Sequence, residues 1–259
     1  MSEYSKDFTL QEIMAVAAAR EIRDYEKVII GTGLPLLGAM LALRTHAPNM
    51  VAIYESGTIE ARPLKTPFSV ADACLVPGAA MQGGLIEGLG IVHAGDLDVG
   101  FLGGAQIDRF GNLNAHVIGD YYHPEVRFAG SGGSNDIGAG CQRTIIMMLH
   151  QKRRFKETVD FITTPGYLTG GKSREKMGYP GKGPAVVVST LGILRFHPET
   201  KEMYLESYHP VTDLATVKAN TGWDLKIADD VRETVPPTVE EIRILREELD
   251  PTGIFLKKT

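Results

Sequence analysis

The residues best suited to chemistry in this chain are Glu55, in the stretch Tyr54-Glu55-Ser56-Gly57, and the glycine cluster Gly130-Ser131-Gly132-Gly133. A glutamate can act as nucleophile or proton acceptor, and small neighbours leave room for a substrate to approach it. Glycine-rich backbone can turn several N–H groups toward one anion or oxyanion. Each stretch also has a plainer reading, Glu55 as the first solvated residue after a strand and the glycines as a tightly bent loop. Lys152-Arg153-Arg154 is the one basic triplet, and such triplets are either solvated turns or phosphate holders.

Other chemistries lose their anchors. None of the seven histidines stands at ligand or triad spacing from an Asp or Glu; His123, in Asp120-Tyr121-Tyr122-His123, is the one best placed to meet a ligand. Cys74 and Cys141 lie far apart without Cys-x-x-Cys or Cys/His spacing, so they read as reduced thiols of a cytoplasmic protein and leave no metal site. With no Gly-x-Ser-x-Gly elbow and no Walker sequence expected, the chain reads as neither an ordinary hydrolase nor an NTPase. With 259 residues, 43% of them apolar and 23% charged, the chain can bury the core of a globular α/β unit. A net charge of −5 without a sizeable basic block argues against nucleic acid or an anionic membrane as partner. No apolar run approaches the roughly 20 residues of a membrane span. Met1-Ser2-Glu3-Tyr4-Ser5-Lys6 lacks the basic-then-apolar pattern of a signal peptide.

The elements that must position Glu55 are legible around it. Thr9-Leu10-Gln11-Glu12 is a capping box, and Ile13, Val16, Ala17 and Ile22 recur at helical spacing, predicting a helix to about Tyr25. Lys27 to Ile30 predicts a strand, Gly31-Thr32-Gly33 a turn, Leu34 to His46 a helix closed by Pro48, and Met50 to Tyr54 a second strand. This is a right-handed βαβ unit with parallel strands, and it sets Glu55 at the carboxyl edge, where open α/β sheets bind ligands. Gly31-x-Gly33 with an acidic residue 22 positions later imitates a dinucleotide fingerprint, but Leu36 stands where the third glycine belongs. Nicotinamide binding is disfavoured on that ground. Farther on, Val99–Leu102, Thr144–Leu149 and Val159–Thr163 predict strands, and Ala185–Ser189, Ile193–Phe196 and Met203–Ser207 a meander. Asp213 to Asn220 and a capped segment opening at Thr238 predict the last helices. No repeat, linker or low-complexity tract breaks the chain, so a single domain over 1–259 is expected.

Several stretches together resemble the class I coenzyme A transferases, and most closely the β (B) chains of the branch that acts on glutaconate. They are Gly31-Thr32-Gly33-Leu34-Pro35-Leu36, Glu55-Ser56-Gly57, Gly103-Gly104-Ala105-Gln106-Ile107-Asp108, Gly111-Asn112, Gly119-Asp120-Tyr121, the Gly130–Gly133 cluster, Lys152-Arg153-Arg154-Phe155 and Glu247-Glu248-Leu249-Asp250-Pro251. The wider family carries Glu-x-Gly-x-x-Gly-x-x-Pro around its nucleophile; Glu55, Gly57 and Pro63 fit, while Glu60 replaces the second glycine. That departure suggests a branch of the family.

The resemblance implies an α/β fold with an open, mostly parallel sheet flanked by helices, of the NagB/RpiA type, and a C-terminal antiparallel meander. It implies Glu55 as the catalytic nucleophile, oxyanion or CoA contacts from Gly130, Ser131, Gly132, Gly133 and Gln106, no metal, and no cofactor beyond CoA as a substrate. In such a reaction glutamate attacks an acyl-CoA, passes through an anhydride and holds CoA as an enzyme thioester. The nucleophile must be ionised, hence hydrogen-bonded and not merely buried. The implied partners are a homologous α (A) subunit in an α2β2 or α4β4 assembly, an acyl-CoA and a carboxylic acid such as glutaconate. Two rival readings stand beside transfer: an acyl-CoA hydrolase or decarboxylase on the same fold, and a non-catalytic ligand-binding domain. Retention of Glu55 favours transfer.

Overall fold

A computed structural model describes residues 3–63 and 65–256, so Met1-Ser2, Leu64 of the proline-flanked loop and 257–259 lie outside the described residues. The chain gathers into two compact units, one of Met1–Phe101 with Val235–Thr259 and one of Leu102–Thr234.

In the first unit, helix α1 (Leu10–Arg20) opens on the capping box: Glu12 N–H donates to Thr9 Oγ1 at 3.2 Å, and Thr9 N–H donates to Glu12 Oε2 at 2.6 Å. Two otherwise orphaned N–H groups are thereby satisfied. Strand β1 (Lys27–Ile30) leads through Gly33 into helix α2 (Leu34–Arg44), whose Leu36 is fully buried. Small residues let α1 and α2 approach closely; a Cβ added at Gly38 would lie 3.2 Å from the Ala15 carbonyl oxygen. β1 pairs in parallel with β2 (Val51–Tyr54), Lys27 facing Val51 and Ile30 facing Tyr54. Antiparallel β3 (Thr58–Ile59) and β4 (Met81–Gln82) continue from β2; after helix α3 (Leu85–His93), β5 (Val99–Leu102) takes the other edge of β1, again in parallel. Val28, Ile29 and Ile30 are thus completely buried, worth roughly 1.5–3 kcal/mol each for a large aliphatic side chain. A second capping box, Thr238 with Glu241, opens helix Val239–Arg243, which runs on as a π-helix over Ile244–Leu249.

The second unit begins with two hairpins, β6 (Gln106–Ile107) with β7 (Leu113–Asn114) and β8 (Val117–Gly119) with β9 (Pro124–Arg127). Helix α4 (Ser134–Gly140) precedes β10 (Arg143–Met148). The short helix α5 (Ser173–Lys176) lies on the path to β11 (Pro184–Ser189), which runs parallel to β10. β11, β12 (Gly192–Phe196) and β13 (Met203–Tyr208) form the expected antiparallel meander. After helix α6 (Leu214–Ala219), β14 (Lys226–Glu233) adds to β13 in parallel. Its charged sequence carries no strand signal.

Val159–Thr163 is not a strand. The Asp160 carboxylate there accepts from Gln106 Nε2 at 2.8 Å, Gly119 N–H at 3.0 Å and Lys156 Nζ, and Thr163 N–H donates to the Leu113 carbonyl at 2.8 Å, so the segment is held by side-chain bonds and a backbone bond at its end, with no strand ladder. Buried Arg174 organises the region behind it. Its guanidinium donates to five carbonyls, those of Gly138, Ala139, Pro165, Gly166 and Gly181.

Candidate active site

β2 ends at Tyr54 and the chain turns at once. Gly57 N–H donates to the Tyr54 carbonyl at 2.8 Å, which puts Glu55 and Ser56 at the tip of a β-turn on the carboxyl end of a parallel strand. Gly57 has φ of 91°, and a side chain there would drive into the backbone of Gly84. Its carbonyl accepts from Gly83 N–H at 3.0 Å, and Ser56 Oγ donates to the Val70 carbonyl at 2.6 Å. The turn is therefore fixed on both sides of Glu55.

Glu55 itself is half-buried, and burial pushes its pKa above the ordinary glutamate value. Its carboxylate makes no hydrogen bond and no ion pair among the described residues. This differs from the expectation that the nucleophile is hydrogen-bonded: the chain buries the group without supplying it a described donor. A first solvated residue after a strand would not be desolvated in this way. Burial of a carboxylate at the carboxyl edge of a parallel sheet makes Glu55 the candidate functional carboxylate. Five residues on, Glu60 adopts φ of 55°. The left-handed backbone at that position explains why glycine suits the corresponding place in Glu-x-Gly-x-x-Gly.

Gln106, Gly130, Ser131, Gly132 and Gly133 belong to the second unit. Gln106 is only 1% exposed; its Oε1 accepts from Asn114 Nδ2 at 2.7 Å and Asp160 N–H at 3.0 Å, while Nε2 donates to Asp160. It braces the hairpin β6–β7 against the Asp160 segment. In the glycine loop, Gly130 N–H donates to the Ala115 carbonyl at 3.2 Å and Ser134 N–H to that of Ser131 at 3.0 Å. Gly130 and Gly132 take φ of 101° and 51°, so glycine is needed at both. The N–H groups of Gly132 and Gly133 donate to no backbone acceptor outside the regular elements among the described residues. His123 is exposed, its backbone N–H bonded to Asp120.

Contrary to the expectation that the chain holds no Walker sequence, Gly166-Tyr167-Leu168-Thr169-Gly170-Gly171-Lys172-Ser173 carries the spacing of a phosphate loop. Its backbone is not a phosphate cradle. Gly170 N–H donates to the Tyr167 carbonyl, Gly171 N–H to that of Thr200 and Ser173 N–H to that of Gly170, and the helix that follows is a single turn.

Residues 11–220 match the family model described as coenzyme A transferase. The chain belongs to the coenzyme A transferase family. It is 42% identical over 265 residues to the B subunit of glutaconate CoA-transferase from Acidaminococcus fermentans, covering 99% of this chain and 98% of that one. To the B subunit of 3-oxoadipate CoA-transferase from Pseudomonas knackmussii it is 40% identical over 248 residues, covering 95% and 94%. The crystal structure of the Acidaminococcus glutaconate enzyme matches with a TM-score of 0.92 at 40% identity, over 99% of this chain and 100% of that chain. A cholesterol ring-cleaving hydrolase IpdB subunit of Rhodococcus jostii is 28% identical over 98% of this chain and 97% of its own. The chain is a CoA-transferase of the β kind, with the open α/β sheet of that fold. Among the described residues no helix is long and apolar enough to cross a membrane.

Proposed function

We propose that this chain is the nucleophile-bearing subunit of a heteromeric transferase that moves CoA between an acyl-CoA and a short carboxylic acid such as glutaconate, through a glutamyl thioester on Glu55. The observation that carries this reading is the half-buried Glu55 carboxylate at the carboxyl end of β2, fixed by its turn and left without a described partner. A carboxylate oxygen attacks the donor thioester carbonyl, expelling CoA as thiolate and leaving an acyl-glutamyl anhydride. The thiolate then attacks the glutamyl carbonyl, the donor's carboxylate departs, and CoA is held on Glu55. An acceptor carboxylate runs the two steps in reverse. Thioester and carboxylate are exchanged for thioester and carboxylate, so the sequence of steps calls for no ATP and no redox partner.

Burial suits this chemistry because water near the glutamyl thioester would hydrolyse it. It also raises the cost of the ionised nucleophile. On this reading the oxyanion donors come from the loop Gly130-Ser131-Gly132-Gly133, whose Gly132 and Gly133 N–H groups donate to no backbone acceptor outside the regular elements among the described residues, at about 3 kcal/mol of barrier per donor. Gln106 keeps its place in the substrate-binding set through the segment it braces. A homologous α subunit completes an α2β2 or α4β4 assembly.

The test is borohydride trapping. The co-expressed complex is mixed with acyl-CoA, without acceptor acid, and reduced. The expected result is irreversible inactivation that requires acyl-CoA, with one oxygen lost and two hydrogens gained on the peptide holding Glu55. Prior addition of acceptor should protect. Turnover of acyl-CoA with no adduct on Glu55 would overturn the reading and place the chain with its hydrolase relative.

A further inference from the structure

His116 is half-buried against the glycine loop, and the chemistry described so far gives it no part. The backbone sets it there. Phe128 N–H donates to the His116 carbonyl at 2.9 Å and Gly130 N–H to the Ala115 carbonyl at 3.2 Å, so the chain entering the loop runs beside Ala115 and His116. A Cβ added at Gly130 would lie 3.5 Å from Nε2 of the imidazole and 3.9 Å from Cδ2 and Cε1; the Nε2 edge of the ring faces the loop. At Gly132 an added Cβ would meet nothing within 4 Å, so the loop borders open space. All of these residues belong to the second unit.

The ring is held from two sides. Phe161 packs against it with centroids 4.7 Å apart, and Nδ1 lies 2.7 Å from Thr163 Oγ1. That oxygen already accepts the Ala115 N–H at 2.7 Å, and Thr163 is only 7% exposed. A hydroxyl has one hydrogen to give, and His116 Nδ1 is the one acceptor it meets among the described residues. A buried hydroxyl hydrogen left unmet is costly, so Thr163 donates to Nδ1. A neutral imidazole that accepts at Nδ1 carries its hydrogen on Nε2, and the bonding pattern assigns that tautomer here. Nε2 itself has no hydrogen-bond partner among the described residues. A histidine that only latched its hairpin to Thr163 would need Nδ1 alone.

We infer that His116 is a further donor to the oxyanion, presenting Nε2–H beside the N–H groups of Gly132 and Gly133, with Thr163 as the positioning residue that sets its tautomer. This inference rests on the assignment of the Gly130–Gly133 loop to the oxyanion. When a nucleophile bonds to the thioester carbon, the carbonyl π pair moves onto oxygen. It returns as the C–S bond breaks and thiolate departs. The imidazole keeps its hydrogen throughout, and its hydrogen bond strengthens as charge gathers on that oxygen.

Two amides separate a donor from a latch, because the glutamine amide reaches about as far as Nε2 and the asparagine amide about as far as Nδ1. In the co-expressed complex His116→Asn should lower kcat about 100-fold, with KM for acyl-CoA changed less than about threefold. His116→Gln should keep kcat within about tenfold. A latch requires the opposite order. Equal losses in the two variants, or that opposite order, would overturn the inference. Thr163→Val removes the hydroxyl that sets the tautomer and should lower kcat about tenfold, while Thr163→Ser keeps it. An assembled Thr163→Val complex with natural kcat would overturn the inference too, and it decides the case if neither histidine variant assembles. A cluster that tolerates none of these changes serves the fold, and the inference falls. Borohydride separates this outcome from the thioester reading. Given time, His116→Asn should still yield the acyl-CoA-dependent adduct on Glu55, because a slower first step reaches the same thioester. Greater activity in His116→Gln than in His116→Asn, with no adduct in the natural complex, would sink the thioester reading and leave the donor in place, since hydrolysis of an acyl-CoA passes through an oxyanion as well.

Discussion

Glu12 and Glu55 lie in the same compact unit, each beside the end of a regular element, and the chain treats them in opposite ways. Glu12 is buried to 2% exposure, and burial alone would push its pKa up. Arg246 outweighs that through Nε at 2.6 Å and Nη2 at 3.0 Å, helped by the Thr9 N–H, and the carboxyl is held below the ordinary value. Glu55 is less buried but has no such company, and its pKa goes up. Glu12, which serves the fold, is saturated with donors by its own chain. Glu55, the proposed nucleophile, is fixed through its backbone and left without a described donor.

The sharpest way to break this contrast is to delete each side chain. Glu55→Ala should cost about 10⁴-fold or more in transfer rate, since it removes the covalent group, while the melting temperature stays within the range of ordinary surface changes. Activity within tenfold of the natural complex would end the case for Glu55. Glu12→Gln should do the reverse. It weakens the charged bonds to Arg246, and denaturant unfolding should register about 2–3 kcal/mol of lost stability. A Glu12→Gln protein that unfolds like the natural one would show that the pair contributes little.

Acidification tests the same contrast. Because Glu55 is raised, kcat/KM should fall on the acid side at a pH above the ordinary glutamate value, while Glu12 stays charged below it. Unfolding must be followed in parallel. Buried His150 and His209 are held down to about 3 and about 4 by burial. The unfolded chain takes up a proton on each near its ordinary value of about 6.5, so stability present above that pH is lost as pH falls through the window. An acid limb of activity that merely tracks unfolding would remove Glu55 as its cause.

The smallest effect belongs to Glu60. Relief of its left-handed backbone is worth about 1–2 kcal/mol, and the looser unfolded chain returns about 0.4–1 kcal/mol of that. Glu60→Gly should therefore stabilise the chain by about 0–1.6 kcal/mol, read as a small rise in melting temperature. A fall would mean that the Glu60 side chain makes compensating contacts in the assembled protein.

Much of the first unit could be read directly from residues, because its signals are local. The Thr9–Glu12 box, the parallel βαβ unit and the placement of Glu55 where a strand gives way to a turn all follow from neighbours in sequence. The second unit was less legible because its decisive contacts are long-range. Val159–Thr163 has strand composition but is captured by Asp160, which bonds residues more than 40 positions away. β14 hides its strand character behind five charged residues in eight. The basic triplet was visible as charge, but the cavity it borders is also lined by Ile118 and Val126, from a hairpin some 25 residues earlier in the chain. Gln106 could be singled out by resemblance, yet nothing local reveals that its amide is engaged by Asn114 and Asp160.

Arg174 has a consequence for how the second unit comes apart. The carbonyls at Gly138 and Ala139, at Pro165 and Gly166, and at Gly181 belong to three separate stretches that meet on one guanidinium. None of these stretches can open to solvent alone without stripping acceptors from a buried cation. In native-state hydrogen exchange their amides should therefore open together, as one cooperative unit with a shared free energy, although nearly 30 residues separate the first from the second.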